Sequence, residues 1–184
     1  MTKKVQLIIG STRQNRISPT IASWIEAQVA NYDDLELEII DLKSVDLPFF
    51  DEPTSPSVAS GTSEIAKAWS AKISTADAFI ILSPEYNAGY PGVLKNAIDY
   101  LLDEWKHRPL TIVTYGYGGG LSSAAQLKQV FNRIGSDIID SGVAIDIGAG
   151  ILQNNLEQYE APLAIALGAI IAYRTAGAEV LASV

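Results

Sequence analysis

Short apolar runs rich in β-branched residues alternate along the chain with longer stretches in which apolar residues recur every three or four positions. The short runs are typical of buried strands, and the longer stretches are typical of amphipathic helices. This alternation predicts an α/β fold with a parallel sheet covered by helices on both faces. The five predicted strands are Val5 to Ile9, Leu35 to Ile40, Ala78 to Leu82, Leu110 to Tyr115 and, more weakly, Val143 to Ile147.

The helical periodicity is clearest after the first and third predicted strands. Apolar positions three and four residues apart run from Ile21 to Val29 and again from Val93 to Leu101. Further helices are predicted from Thr62 to Thr75, from Leu121 to Ile134, and from Leu156 towards the C-terminus.

One helical stretch, Pro162 to Tyr173, is almost entirely apolar. It is twelve residues long, whereas a helix needs about 20 residues to cross a bilayer. We therefore expect a buried helix or a subunit interface there, and no membrane association. The apolar run that follows Lys4 is too short for a signal-peptide core, so a cytoplasmic location is expected.

Composition narrows the class of protein further. The length of 184 residues and the 48% hydrophobic content predict a single domain over residues 1–184. A formal net charge of −8 disfavours nucleic acid as a partner, because phosphate polymers would be repelled. The chain has no cysteine, so it has no thiol chemistry of its own, and any redox reaction requires a bound cofactor.

The segment from Pro48 to Ser63 contains prolines, serines and a glycine that prevent a helix or a central strand. It is predicted to be a long loop, and long loops in compact domains often have a function. Phe49 and Phe50 begin this loop, and they either line a pocket or belong to the core.

The loop after the first predicted strand has the character of an anion site. It leads from Gly10 into a helix, whose free N–H groups and positive dipole end favour negative charge. Ser11, Ser18, Arg13 and Arg16 add donors suited to phosphate oxygens. The alternative is that the glycine makes a tight turn, Ser18 caps the helix and the arginines are solvated. The loop matches neither the P-loop nor the Rossmann motif.

Two more loops follow strands that should end at the same edge of the sheet. The third strand leads into the sequence SPEYN at Ser83, and the fourth leads into YGYGGG at Tyr115. Ligands of open α/β sheets bind at this edge, where the strand order reverses. A phosphate site, an aromatic ring and a glycine-rich loop that permits close approach of a flat heterocycle together indicate FMN.

At these motifs the sequence resembles the NADPH-dependent FMN reductase family, whose members have a flavodoxin-like fold. The resemblance is carried, in order, by GSTRQNRIS, DLPFFDEP, SPEYNAGYPGVLKNAIDYLLDEW and YGYGGG, which together cover about residues 5 to 130. It departs at Gln14 and Asn15, where the family often has proline and glycine. It implies a three-layer sandwich with a five-stranded parallel sheet in the order 2-1-3-4-5.

The resemblance also implies the residues that hold the cofactor. Around the FMN phosphate it places Ser11, Arg13, Arg16, Ile17 and Ser18. Along the isoalloxazine it places Pro84, Glu85, Tyr86 and Asn87, largely through backbone atoms. Beside the other edge of the ring it places Tyr115, Gly116, Gly118, Gly119 and Gly120. The family further implies a homodimer or homotetramer with the flavin near a subunit boundary.

We therefore expect a reductase in which bound FMN takes a hydride from NADPH or NADH and passes electrons to a small acceptor. Quinones, free flavins, azo compounds and oxidised metal ions are candidate acceptors. No catalytic acid or base is predicted, since Glu85 and Asp51 fit a helix cap or a solvated charge better. His107 is expected at the surface, and no metal site is predicted.

Two other classes of function stay open on the sequence. A flavodoxin-type electron carrier would bind FMN without oxidising nicotinamide, but the arginines of the first loop disfavour it because flavodoxin phosphate loops resemble one another in lacking arginine. A non-enzymatic module that binds a protein partner or senses redox state is the third class, and the apolar C-terminal stretch allows it.

Overall fold

The computed structural model describes residues 2–139, 142–148 and 156–174, and within them six strands form one parallel sheet. The strands are β1 (Lys3–Ile9), β2 (Leu35–Asp41), β3 (Ala78–Pro84), β4 (Pro109–Gly116), β5 (Asp137–Ile138) and β6 (Val143–Asp146). Strands β3 and β4 are buried along their whole length, while β2 lies at an edge and is partly exposed. Continuous apolar runs therefore predicted the central strands well.

The sheet order is β2-β1-β3-β4, and both β5 and β6 pair with β4 beyond it. This confirms the predicted flavodoxin-like order, but the fifth position is shared by two short strands. The two-residue strand β5 was not predicted. Between the two lies Gly142, whose φ of 81° is left-handed. A Cβ there would lie 2.5 Å from the carbonyl oxygen of Ile112 on β4, so a side chain at this position would collide with the β4 backbone.

Within the described ranges, five α-helices cover the two faces of the sheet. They are α1 (Ser18–Val29), α2 (Glu64–Ile73), α3 (Gly92–Asp99), α4 (Leu121–Ile134) and α5 (Glu160–Ala172). All five were predicted, and α4 has the predicted bounds. A 3-10 turn at Glu157–Tyr159 precedes α5, so the last helix begins later than its apolar pattern suggested, and the chain after Arg174 lies outside the described residues.

The sheet separates two hydrophobic cores. On one face, α1 and α5 pack against side chains such as Leu7, Ile80 and Val113. On the other face, α2, α3 and α4 pack against side chains such as Phe79 and Ile81. Alternate residues of each central strand face opposite cores, so these strands are mainly apolar on both sides.

The apolar stretch within α5 is buried on one side only. Leu163, Leu167 and Ile170 enter the core, while Ile165 keeps 68% of its surface exposed. No helix in the described part of the chain has both the length and the apolar character needed to span a membrane.

The loop after β2 is irregular, as predicted, and its two phenylalanines have different environments. Phe50 packs edge-on against Tyr100, with 5.3 Å between ring centroids, whereas Phe49 is 87% exposed. The Glu52 carboxylate holds the far end of the loop by accepting hydrogen bonds from the N–H groups of Thr62 and Ser63. The Ser63 side chain, followed by these N–H groups, lowers the pKa of Glu52 to about 2 by hydrogen bonding to the charged carboxylate.

Candidate functional site

The loops after β1, β3 and β4 meet at the carboxyl edge of the sheet and are joined by hydrogen bonds. Ser11 Oγ in the first loop and the Tyr86 hydroxyl in the second lie 2.6 Å apart. The Glu85 N–H at the start of the second loop donates to the carbonyl of Tyr115, near the end of β4, over 3.0 Å. The convergence expected from the strand order is therefore found, and the loops form one connected surface.

The first loop leaves β1 at Gly10, which lies tightly against its neighbours. Its N–H donates to the Leu82 carbonyl, and a Cβ would lie 2.9 Å from Leu94 Cδ2. Asn15 later in the loop has a φ of 52°. Asparagine tolerates this left-handed conformation better than most residues, which explains how it can stand where the family often has glycine.

Ser18 does not cap α1, contrary to one interpretation of the sequence. The capping position is Ile17, which makes no side-chain hydrogen bond, with proline following in the first turn. Ser18 Oγ is buried and lacks a hydrogen-bond partner within the described residues. It lies close enough to the Tyr115 phenol to affect that group's pKa, but no bond of ordinary geometry forms. A buried hydroxyl without a partner is costly, and a ligand oxygen would supply one.

The two arginines of the first loop have different surroundings. The Arg13 side chain is exposed, and its guanidinium lies 5.9 Å from the centre of the Tyr86 ring. Arg16 instead forms a two-point ion pair with Asp41 at the end of β2, and Nη1 lies 2.9 Å from Oδ1. Arg16 also donates to the Ser11 carbonyl. Of the two, Arg13 is the one whose charge faces the junction of the loops.

The second loop contains a tight reversal at Asn87 and Ala88. Tyr86 and Gly89 exchange backbone hydrogen bonds of 2.8 and 3.0 Å. The two residues between them have φ values of 49° and 61°, as a type I′ turn requires. Gln126 Nε2 on α4 donates to the Ala88 carbonyl over 2.7 Å and so holds the turn against that helix.

Glu85 serves as a helix cap. Its Oε2 accepts hydrogen bonds from the N–H groups of Ser122 and Ser123 in the first turn of α4, at 2.9 and 3.3 Å. A carboxylate at this end is also favoured by the helix dipole. One of the two roles that the sequence suggested for Glu85 is thus observed, and its carboxylate is directed to the protein.

The third loop is a 3-10 turn, Tyr117–Gly120, in which three successive glycines have left-handed φ values of 71°, 85° and 70°. A Cβ on Gly119 would lie 3.0 Å from that of Ala144, and one on Gly120 would lie 3.0 Å from the Tyr115 carbonyl oxygen. At Gly118, by contrast, the space is open. Two of these glycines therefore fold the loop onto the protein, while Gly118 leaves room for a ligand.

Asp146 on β6 anchors this glycine loop. Its Oδ1 accepts hydrogen bonds from the N–H groups of Gly118 and Gly148, at 3.0 and 2.8 Å. These bonds lower the pKa of Asp146. Burial raises the pKa of the neighbouring Tyr115 phenol, and the opposite effects of Ser18, Ser11 and Arg13 are smaller. Tyr115 therefore stays neutral and can donate a hydrogen bond to an oxygen atom of an anion.

Half of the site residues predicted from the sequence lie at this junction, and the residues that support them were not predicted. Side chains of Ser11, Arg13, Ser18, Tyr86 and Tyr115 come together, Asn87 and Gly118 border them, and the side chains of Arg16 and Glu85 turn to other partners. The missed residues are Asp41, Gln126 and Asp146. Each comes from a distant part of the chain, so no local pattern could have indicated it.

A cavity of about 820 Å³ lies at the opposite edge of the sheet, bordered by Lys3, His107 and Arg174 among others. It is remote from the three loops. His107 is exposed there, as expected. Within the described ranges, no cluster of three or more acidic or histidine side chains is placed to hold a metal ion.

Comparison with known proteins gives concordant results. Residues 3–150 match the sequence profile of the NADPH-dependent FMN reductases. An NAD(P)H-dependent FMN reductase of Schizosaccharomyces pombe is 43% identical over 132 residues, which cover 71% of this chain and 66% of the relative. One from Saccharomyces cerevisiae is 33% identical over 160 residues, covering 81% of this chain and 83% of the relative.

Among solved structures, the flavoenzyme NAD(P)H:(acceptor) oxidoreductase FerB of Paracoccus denitrificans superposes with a TM-score of 0.73. The alignment covers 92% of this chain and 96% of that protein, at 20% identity. This likeness shows that the two share a fold.

Proposed function

The chain belongs to the NADPH-dependent FMN reductase family, and from this membership we infer that it is an FMN-dependent NAD(P)H oxidoreductase acting on a small acceptor. When bound, FMN supplies the redox chemistry, since it accepts a hydride from the nicotinamide and returns the electrons to an acceptor. The protein's task is to hold and orient the flavin.

The flavin phosphate is proposed to bind at the first loop, among Ser11, Arg13 and Ser18. The observation that carries this proposal is the buried Ser18 hydroxyl, which lacks a hydrogen-bond partner among the described residues. Ser18 and the exposed Arg13 both lie close enough to the Tyr115 phenol to lower its pKa. Free N–H groups at the start of α1 add to the attraction for an anion. Ile17 contributes through the backbone at this helix start.

The isoalloxazine is proposed to lie between the second and third loops. Pro84, Glu85, Tyr86 and Asn87 would border one side, and Tyr115 and the glycines at 116 and 118–120 the other. The open space at Gly118 supports close approach of a flat ring. Because the Glu85 carboxylate is engaged at the start of α4, no protein acid or base is assigned to the hydride transfer.

The remaining features of the function rest on the sequence and on family membership. We propose one domain over residues 1–184, a homodimer or homotetramer, and a cytoplasmic location. Quinones, free flavins, azo compounds and oxidised metal ions are the proposed acceptors. The apolar outer side of α5, with Ile165 exposed, supports an assembly of like subunits.

An anaerobic absorbance spectrum of the protein reconstituted with FMN tests the proposal. Addition of NADPH should bleach the oxidised flavin band, and a quinone added afterwards should restore it. Bound flavin that stays oxidised would instead make the protein an electron carrier, and failure to bind FMN would refute the proposed function.

The phosphate site is tested by Arg13→Ala, with Arg133→Ala as a matched control. Arg133 is exposed in the last turn of α4, so the two variants lose the same charge in different places. Loss of a charge-assisted contact should weaken FMN binding roughly tenfold or more and should hardly change riboflavin binding. Equal FMN affinity in both variants would contradict this location.

A further inference from the structure

Arg16 is held by an ion pair that a side chain binding phosphate directly would not need. Its side chain is only 10% exposed and pairs at two points with Asp41, whose side chain is 27% exposed. Within the part of the chain that the structure describes, Asp41 is the carboxylate that this guanidinium meets. Such a planar pair fixes the direction of both groups more firmly than a single contact does.

The same guanidinium also organises the loop backbone. It donates to the carbonyl of Ser11, the residue whose Oγ meets the Tyr86 hydroxyl. Asp41 is the last residue of β2, where it pairs with Ile9 of β1. Its carboxylate also accepts a hydrogen bond from the Lys43 N–H over 3.0 Å. Arg16 therefore ties both ends of the first loop to a fixed point at the end of β2.

We propose that Arg16 is a positioning residue: braced on Asp41, it holds the first loop in the shape that binds the flavin phosphate, and Arg13 supplies the direct cationic contact. The inference rests on the proposed function. It also gives the two arginines different duties, whereas family resemblance alone places both around the phosphate.

Charge supports this division. A guanidinium paired closely with a carboxylate adds little net positive potential at a distance, because the two fields largely cancel. Releasing Arg16 towards a phosphate would also leave Asp41 partly buried without its partner, which is unfavourable. Arg13 has no such competitor, since its described contact is with the face of an aromatic ring.

The substitution Asp41→Asn distinguishes a brace from a direct ligand by the sign of its effect. If Arg16 bound the phosphate, removing the competing carboxylate would free it and tighten FMN binding. If Arg16 is a brace, the same change loosens the loop and weakens FMN binding. We expect a loss of roughly tenfold, with a much smaller change for riboflavin, which has no phosphate.

Asp46→Asn is the matched control, because Asp46 is exposed in the chain segment that follows β2 and its loss changes the net charge equally. It should leave FMN affinity unchanged or slightly raised. The double variant Arg16→Met with Asp41→Asn should lose no more affinity for FMN than the worse single variant does, because both substitutions break the same Arg16–Asp41 ion pair.

The measurement is the pair of dissociation constants for FMN and riboflavin, from flavin fluorescence quenching by apoprotein whose folding is checked by circular dichroism. Tighter or unchanged FMN binding by Asp41→Asn would overturn the brace, as would a loss of stability that left the ratio of the two constants unchanged. A native protein that binds FMN no better than riboflavin would overturn the proposed phosphate site and the inference together, whereas the other outcomes leave the proposed function standing.

Discussion

At the scale of single residues, Ala88 adopts a conformation that its side chain disfavours. Its φ of 61° is left-handed, and this region costs an L-residue with a Cβ roughly 1–2 kcal/mol. The turn persists because Tyr86 and Gly89 exchange hydrogen bonds and Gln126 holds the Ala88 carbonyl. Strain of this kind is common at ligand-binding loops, where surrounding contacts impose the shape.

Ala88→Gly should therefore stabilise the protein by about 1 kcal/mol, because glycine adopts the same backbone without the Cβ penalty. Ala27→Gly is the control: Ala27 is exposed within α1, where glycine should lower the free energy of unfolding by about 1 kcal/mol. Urea unfolding measures both. A destabilised Ala88→Gly would show that Ala88 is not strained.

The sequence predicted which residue types meet at the site better than it predicted what each one does. Ser11, Arg13 and Tyr86 come together as expected because they follow strands that end at one edge. The duties of Arg16 and Glu85 depend on Asp41 and on the first turn of α4, which lie 25 and 37 residues away. No local pattern contains such long-range partners.

At the scale of elements, periodicity located the helices and long strands of the described residues, since each buries a regular apolar face. At the fifth position of the sheet it predicted β6 and missed the two-residue β5. There two short strands, β5 and β6, share the flank of β4, and at Gly142 the chain lies close to the Ile112 backbone. A close backbone approach leaves no mark on apolar periodicity.

Gly142→Ala should destabilise the protein by at least ~2 kcal/mol, because the added methyl group meets both a left-handed φ and a carbonyl oxygen at 2.5 Å. Gly92→Ala at the start of α3 has open space around the new Cβ and should be neutral or slightly stabilising. Thermal unfolding of the pair tests this. Equal stability of the two variants would show that Gly142 is not a special position.

At the scale of the whole molecule, the side of α5 turned away from the core carries no charge between Ala161 and Ala172. Ile165 is the large apolar side chain exposed there. A soluble monomer seldom leaves such a helix face open to water, whereas a homo-oligomer would cover it.

Ile165→Glu tests the proposed homo-oligomer. It should reduce the particle mass measured by light scattering after gel filtration, because burying a carboxylate between subunits is unfavourable. Val58→Glu is the control, since Val58 is 77% exposed in the loop after β2, and it should leave the mass unchanged. An unchanged mass in Ile165→Glu would place the subunit contact elsewhere.

The sheet that divides the interior into two cores also shapes how such a chain can diverge. Side chains on opposite faces do not touch, so a volume change beneath α1 and α5 can be compensated only by neighbours on that face. The two hydrophobic cores can therefore accumulate substitutions independently of each other. The three loops cannot, because the Ser11–Tyr86 hydroxyl contact ties the first loop to the second, and the Glu85 carboxylate ties the second to the start of α4, directly after the third. A substitution at any of these three side chains loosens more than one loop.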